Sequence, residues 1–188
     1  MKNDEIMKMM NAQQEATLCM DCMHEMEMKF WNTPYLRMVR SCFDVDERPT
    51  LLTRIYALVQ NKEVVEFLDE KHGKRMRRAC LAMWDQHHEK ADKKWLAAIF
   101  LLTATEQLWR TARKNVSRDD FDVEEFDVTK LTYQEFALGG YAAELLYDDE
   151  YLDAGDLEKE TFFDDETLML ILDAAVISRY GIAKYPDE

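Results

Sequence analysis

Three side chains that commonly bind metal ions lie close together near the start of the chain. Cys19 and Cys22 are three residues apart, which places both thiols on one face of a helix, and His24 follows. Structural zinc requires four ligands in a closed set, usually completed by a second pair at short spacing. Here only the isolated Cys42 and Cys80 remain. A zinc site at Cys19, Cys22, His24 and Cys42 stays a hypothesis, but reduced thiols are the simpler interpretation, so no metal or cofactor is assigned.

Two adjacent histidines, His87 and His88, offer a general base or metal ligands, because imidazole titrates near neutral pH. Adjacent helical residues point about 100 degrees apart, so the two rings cannot converge on one ion without ligands from elsewhere. The sequence contains no HExxH pattern, glycine-rich phosphate loop, G-x-S-x-G elbow or kinase signature. We therefore predict a non-catalytic protein, and a small metal-dependent enzyme is the alternative.

Carboxylates are the most concentrated chemical groups in the sequence. The stretch SRDDFDVEEFDVTKL, residues 117–131, places six of them among regularly spaced Phe and Val residues, and a second acidic run follows. The second run does not fit a calcium-binding loop, because Asp153 and Lys159 occupy positions that require glycine and glutamate. The residues predicted to contact a partner are Asp119, Asp120, Asp122, Glu124, Glu125, Asp127, Asp148, Asp149 and Glu150.

The apolar residues within SRDDFDVEEFDVTKL suggest how its carboxylates are held. We expect Phe121, Val123, Phe126 and Val128 to anchor the segment on the core while the carboxylates face outwards. Duplex DNA carries about one negative charge per 1.7 Å of axis, so carboxylates fixed at comparable density can imitate it. Anchoring matters because a mobile loop loses ordering entropy on binding. The competing interpretation is a solvated loop that the chain's own lysines and arginines neutralise.

The charge is distributed unevenly along the 188 residues, whose formal net charge is −14 at pH 7. Residues 1–94 hold 16 acids and 16 bases, whereas residues 95–188 hold 22 acids and 8 bases. The field of the second half repels nucleic acid and attracts basic nucleic-acid-binding proteins. A basic segment, KHGKRMRR, supports the alternative of a DNA-associated interaction protein. Its candidate phosphate contacts are Lys71, Lys74, Arg75, Arg77 and Arg78.

The spacing of apolar residues predicts an all-α fold, a compact multi-helix domain with a long Met-rich N-terminal helix. Five glycines and three prolines interrupt the sequence, and apolar side chains recur every three or four residues. The predicted helices run from about Asp4 to Trp31, from Tyr35 to Phe43, from Thr50 to Glu70, from Trp95 to Trp109, from Thr132 to Tyr147, and from Asp164 or Asp165 to Gly181. Gly73 is predicted to be a stop signal, and a basic amphipathic helix is predicted to follow it.

Several residues also mark where these helices begin or come close to a neighbour. Asp92 is predicted to cap the helix that follows it, and Thr132 with Glu135 has the arrangement of a capping box. Gly139 and Gly140 lie inside a predicted helix, where each glycine lowers helix stability by roughly 1 kcal/mol relative to alanine. Close approach of another helix would explain why glycine stands at these positions.

Composition also predicts the location of the chain and a feature of its first helix. Nine of the twelve methionines lie in residues 1–38, and because methionine is a flexible filler this region suits either a plain core or an adaptable contact surface. No uninterrupted apolar run of about 18 residues and no secretion signal is present. We therefore expect a cytoplasmic protein without membrane contact.

From about Val65 to Gly181 the sequence resembles a family of small phage and mobile-element proteins of Firmicutes. The matching motifs are FLDEKHGKRM, AAIFLLTATEQLW, TYQEFALGGYAAELLY and ETFFDDETLMLILDAAVISRYG. Residues 1–60 depart from the family pattern, so the resemblance implies an N-terminal helical region or appendage, residues 1–60, and a helical core domain with acidic surface segments, residues 61–188. The resemblance implies a protein that acts inside a bacterial host cell as an inhibitor of a host defence nuclease. An anti-CRISPR protein directed at a type II effector is the most specific form, with an RNA-guided nuclease as its partner.

Overall fold

The computed structural model describes residues 34–43, 48–83, 92–118, 120–147, 151–152 and 155–182. Within these ranges the predicted all-α fold is confirmed, and the predicted Met-rich helix from Asp4 to Trp31 lies outside them. A short 3-10 turn, Val128–Lys130, precedes α6. The helices are α1 Pro34–Cys42, α2 Pro49–Val59, α3 Glu70–Met83, α4 Lys93–Leu102, α5 Glu106–Ala112, α6 Tyr133–Tyr147 and α7 Asp165–Tyr180.

Helices α4 and α7 form the centre of the fold, because their sequences are apolar on most faces. Residues 97–102 of α4 and 170–177 of α7 are all buried. Helix α4 packs against both α6 and α7, while α7 also contacts α1 and α6. Leu36 of α1, Ile55 of α2 and Met76 of α3 complete the same hydrophobic core.

The predicted signals at Asp92, at Thr132 with Glu135 and at Gly181 are confirmed. The Asp92 carboxylate accepts a hydrogen bond from the backbone N–H of Lys94 at 2.7 Å. The side chain of Glu135 accepts from the N–H of Thr132 at 2.9 Å, and the Thr132 hydroxyl accepts from the N–H of Glu135 at 3.2 Å. Gly181, with a φ of 85°, ends α7. These bonds satisfy amides that have no partner within their own helix.

Two helix boundaries differ from the prediction near the basic segment. Helix α2 ends at Val59, so the prediction that it continues to Glu70 is wrong. The prediction of a stop at Gly73 is also wrong, because Gly73 lies within α3. Asp69 caps α3 upstream of this glycine, where its carboxylate accepts from the N–H of His72 at 2.6 Å.

The predicted helix from Trp95 to Trp109 is two helices. Helix α4 ends at Leu102, and Thr105 begins α5 as its N-cap, with its hydroxyl accepting from the N–H of Leu108 at 3.0 Å. The same hydroxyl donates to Glu135 of α6. A tertiary bond therefore stabilises a break that the apolar pattern does not show.

The described part of residues 1–60 shares its core with the later helices. Tyr35 and Leu36 of α1 and Leu51 of α2 are at most 1% exposed within the cluster that also contains α4 and α7. The division of the chain at residue 60 stays a prediction for residues 1–33. None of the described helices combines the length and hydropathy needed to cross a membrane.

Candidate functional site

The acidic segment, residues 117–131, connects α5 to α6 and is attached to the core by two aromatic rings. Phe121 is 1% exposed and Phe126 is 8% exposed, and their ring centroids are 5.4 Å apart in an edge-to-face contact. Val123 is partly buried against the same core. The anchoring predicted for these three residues is confirmed. It is wrong for Val128, which begins the 3-10 turn and is 41% exposed.

The Phe126 ring packs directly against the backbone of α6. A Cβ atom on Gly139 would lie 2.8 Å from Cε1 of Phe126, closer than carbon atoms pack. A Cβ atom on Gly140 would lie 3.6 Å from Cβ of Tyr151, which is an ordinary contact. Gly139 therefore admits an aromatic ring of the acidic segment, and the expected close approach of another helix is wrong for this residue.

Hydrogen bonds hold two of the predicted carboxylates in place. The Tyr147 hydroxyl at the end of α6 donates to Oδ1 of Asp120 at 2.8 Å and accepts from the N–H of Phe121 at 2.9 Å. Oδ1 of Asp122 accepts from the N–H of Glu125 at 3.1 Å, which closes a turn. The positions of these side chains are thus set by the folded backbone and by α6.

Asp127 is fixed at the start of the 3-10 turn. Its carboxylate accepts from the hydroxyl and the N–H of Thr129, and it pairs with Lys130 at 3.1 Å. The hydrogen bonds from Thr129 and Lys130 lower the pKa of Asp127 to about 2. This side chain is therefore ionised throughout the physiological pH range.

The described carboxylates of the predicted site all face solvent: Asp120, Asp122, Glu124, Glu125 and Asp127.

Two side chains of the basic segment on α3 bond to other groups of the chain. Lys74 pairs with Glu70 in its own helix, and Arg75 donates to the carbonyl oxygens of Thr103 and Ala104 at the end of α4. Lys71 and Arg78 are exposed, and Arg77 is half-buried. Two of the five candidate phosphate contacts thus have structural roles.

The remaining candidate residues fall outside the described ranges, so their predictions stand untested: Asp119, Asp148, Asp149 and Glu150 of the acidic surface, and Cys19, Cys22, His24, His87 and His88. Cys42 is described, and its thiol donates to the carbonyl oxygen of Ala175 at 3.4 Å. Burial raises the pKa of the Cys42 thiol. Among the described residues, no three His, Cys, Asp or Glu side chains are grouped so that they could hold a metal ion.

A second acidic region lies around the start of α7 and is bound by Arg54 of α2 and by Arg48, which precedes α2. The buried guanidinium of Arg54 donates to the carbonyl oxygen of Leu157 at 2.9 Å, to that of Phe163, and to the carboxylate of Asp165 at 3.0 Å. Arg48 pairs with Glu158 at 3.2 Å. In this region the chain's own arginines neutralise part of the negative charge.

A buried ionic network in the core was not predicted from the sequence. Asp173 of α7 is 2% exposed, and its Oδ2 lies 3.1 Å from Nζ of Lys62. The Tyr35 hydroxyl donates to Oδ1 of Asp173, and the N–H of Glu66 donates to Oδ2 at 3.4 Å. Burial raises the pKa of Asp173 to about 6, and Lys62 opposes the shift. The one sequence signal was an aspartate within an otherwise apolar helix.

His72 was also missed, although it lies within the basic segment. Its ring is fully buried, with Nδ1 accepting from the N–H of Leu68 at 3.1 Å and Nε2 2.8 Å from the carbonyl oxygen of Phe100. These partners require the proton on Nε2. Burial lowers the pKa of His72 to about 4, so the ring is neutral near pH 7. Its hydrogen bond to Phe100 joins α3 to α4.

Comparisons with family models, curated proteins and solved structures found no match to this chain. Its fold is an all-α domain, and its most prominent surface is the aromatic-anchored acidic segment. The function is therefore argued from that surface.

Proposed function

We propose that the chain is a non-catalytic inhibitor of a host defence nuclease that occupies a nucleic-acid-binding site with the acidic segment. The observation that supports this proposal is the anchoring of the segment by Phe121 and Phe126, which are almost completely buried. Because folding already orders the backbone around the carboxylates, binding costs less conformational entropy than it would for a mobile loop. The surface can then present its charges much as a nucleic-acid backbone does.

A type II RNA-guided nuclease suits this surface. Such enzymes hold their guide–target duplex in a positively charged channel and read a short adjacent DNA motif with arginines. The exposed carboxylates of the acidic segment would pair with those arginines, together with Asp119, Asp148, Asp149 and Glu150. The bacterial host belongs to the proposal through the motif resemblance of residues 65–181 alone, since the comparisons with known proteins found no match.

A DNA-associated protein that binds through residues 71–78 is the second candidate. The exposure of Lys71 and Arg78 on α3 favours it, while the bonds of Lys74 and Arg75 within the chain count against it. Salt-dependent retention on heparin that is lost in the double variant Lys71→Gln/Arg78→Gln would support this candidate, because phosphate contacts are electrostatic.

The test is inhibition of DNA cleavage by a purified type II nuclease. The variant Asp122→Asn/Glu124→Gln/Glu125→Gln removes three charges and keeps an oxygen that can accept the turn hydrogen bond of Asp122. The matched control is Glu63→Gln/Glu70→Gln/Glu106→Gln, which removes three exposed carboxylates from other parts of the chain. We expect the first variant to inhibit about tenfold less strongly, because three contacts of roughly 0.5 kcal/mol each sum to one decade.

The control should inhibit like the parent chain, and all three proteins should melt at similar temperatures. Equal potency of the two triple variants would remove the acidic segment from the mechanism. A parent chain that leaves cleavage unchanged across a panel of type II nucleases would contradict the proposed function itself.

A further inference from the structure

Helix α6 presents an exposed aromatic face next to the acidic segment. Tyr133, Phe136 and Tyr147 are 49%, 47% and 41% exposed. They lie with Gly140 and Glu144 at spacings of three and four residues, which places all five positions on one side of the helix. From Tyr133 to Tyr147 this face is about 21 Å long at 1.5 Å per residue.

Residues outside α6 extend the same face. The Phe162 ring lies 6.2 Å from the ring of Tyr133, and Tyr151 lies beside Gly140. Nine large apolar or aromatic side chains are exposed within the described ranges, and five of them belong to this face: Tyr133, Phe136, Tyr147, Tyr151 and Phe162. Such concentration distinguishes a binding surface from apolar side chains scattered singly over a protein.

Negative charge borders the aromatic face at the end that is next to the acidic segment, where the Tyr147 hydroxyl holds the carboxylate of Asp120 at 2.8 Å. At the other end Nζ of Lys159 lies 4.8 Å from the centroid of the Phe162 ring and pairs with Asp156 at 3.1 Å. The chain's own lysine therefore occupies the Phe162 end of the face, and the rings of α6 are the ones that a partner's cation would contact.

We propose that the aromatic face of α6 binds arginine side chains of a basic partner protein. The planar guanidinium stacks on aromatic rings and pairs with carboxylates through two parallel hydrogen bonds, whereas the ammonium of lysine is a strongly hydrated point charge. A surface of rings bordered by carboxylates therefore favours arginine over lysine. This inference rests on the proposed function in requiring a basic partner, and it adds which side chain the partner supplies.

The experiment measures fluorescence anisotropy of labelled deca-arginine and deca-lysine peptides on the full chain. We expect the arginine peptide to bind about tenfold more tightly than the lysine peptide. The variant Tyr133→Ser/Phe136→Ser should lose most of this preference by weakening the arginine peptide alone. The single variant Phe136→Ser tests the same point without changing Tyr133, which contacts the buried Phe163.

Two further variants separate aromatic contacts from charge. Tyr180→Ser removes a tyrosine of similar exposure from α7 and should leave the preference intact. The variant Asp122→Asn/Glu124→Gln/Glu125→Gln should weaken both peptides and preserve their ratio. Equal binding of the two peptides to the parent chain would overturn the inference, as would an unchanged ratio in Phe136→Ser.

Self-association gives a different result. A concentration-dependent dimer that Tyr133→Ser/Phe136→Ser abolishes would identify a second copy of the chain as the occupant and overturn the inference. Nuclease inhibition without an arginine preference would refute this inference alone. An arginine preference without nuclease inhibition would refute the proposed function alone.

Discussion

The pairing of Lys62 with Asp173 is the residue-scale feature with the largest expected effect on stability. Both side chains are buried, and the Tyr35 hydroxyl completes the site. Two ions in a protein interior lose their hydration, and their mutual attraction offsets that cost only while both are present. Lys62 also pairs with Glu66 at 3.0 Å, but that carboxylate is exposed, so removing Asp173 leaves the ammonium without its buried counter-ion.

We predict that Asp173→Asn lowers the free energy of unfolding by about 3 kcal/mol, because it leaves the buried Lys62 ammonium paired only with the exposed carboxylate of Glu66. The control is the double variant Lys62→Met/Asp173→Leu, which replaces the pair by apolar groups and should recover much of the loss. Urea denaturation followed by circular dichroism measures both. A double variant no more stable than Asp173→Asn would show that packing, and not the ion pair, determines stability here.

The imidazole of His72 gives the fold a stability that depends on pH. Its folded pKa of about 4 lies below the ordinary value of 6.5, because the charged ring cannot be hydrated in the core. The unfolded chain therefore binds more protons between these values, so the contribution of His72 is complete above pH 6.5 and is lost as the pH falls to about 4.

We predict that His72→Asn removes this dependence. The difference in unfolding free energy between the parent chain and the variant should shrink by about 3 kcal/mol between pH 7 and pH 4, at about 1.4 kcal/mol per pKa unit. Asp173 acts in the opposite direction, because its raised pKa of about 6 makes the folded state bind the extra proton. Since Asp173 is present in both proteins, its effect cancels in the comparison. A constant difference over this range would refute the prediction.

Residue-scale features were predictable where they depend on near neighbours in the sequence. The caps at Asp92 and Thr132 bind residues two or three positions away, so local spacing was sufficient. The bond from Tyr35 to Asp173 joins residues 138 positions apart. Such a pairing depends on how α1 packs on α7, which a single sequence does not reveal.

At the scale of elements, the contact between Phe126 and Gly139 links α6 to the acidic segment. Gly→Ala within a helix normally stabilises by up to about 1 kcal/mol. At Gly139 the new methyl group would displace the Phe126 ring, since the Cβ would lie 2.8 Å from it. At Gly140 the methyl group would make only an ordinary contact.

We predict opposite effects for the two neighbouring substitutions. Gly139→Ala should lower the free energy of unfolding by about 1 to 3 kcal/mol through overpacking, and Gly140→Ala should raise or preserve it. Gly139→Ala should also weaken nuclease inhibition, because it disturbs the anchor of the carboxylates without changing any charge. Equal stability and equal inhibition of the two variants would show that Phe126 does not position the segment.

The order of elements was largely predictable, and two of the boundary errors share one cause. Apolar residues recur on both sides of Thr103, Ala104 and Thr105, so periodicity alone joins α4 to α5, whereas Thr105 begins a new helix by binding both Leu108 and Glu135. Residues 60–69 likewise leave the helical path where Lys62 and Glu66 meet Asp173. In both cases a tertiary bond overrides local preference.

At the scale of the whole molecule, charge and burial together define the candidate surface. Composition alone located the negative charge in the second half of the chain, and the alternation of Phe with Asp and Glu predicted that the segment is anchored. The structure adds that Arg54 of α2 and Arg48, which precedes α2, bind the acidic region around the start of α7. The aromatic face of α6 could not be predicted, because exposure of its rings depends on which helices pack beside it.

The burial of Lys62 has a practical consequence for following the molecule in solution. Its side chain is 5% exposed, whereas those of Lys74 and Lys130 are 62% and 69% exposed. An acylating reagent should modify the two exposed amines at the rate of a free lysine and should modify Lys62 only when the core opens. Mass spectrometry of the peptide that contains Lys62 would then report how often the core opens, and the acylation rates of Lys74 and Lys130 would serve as the reference.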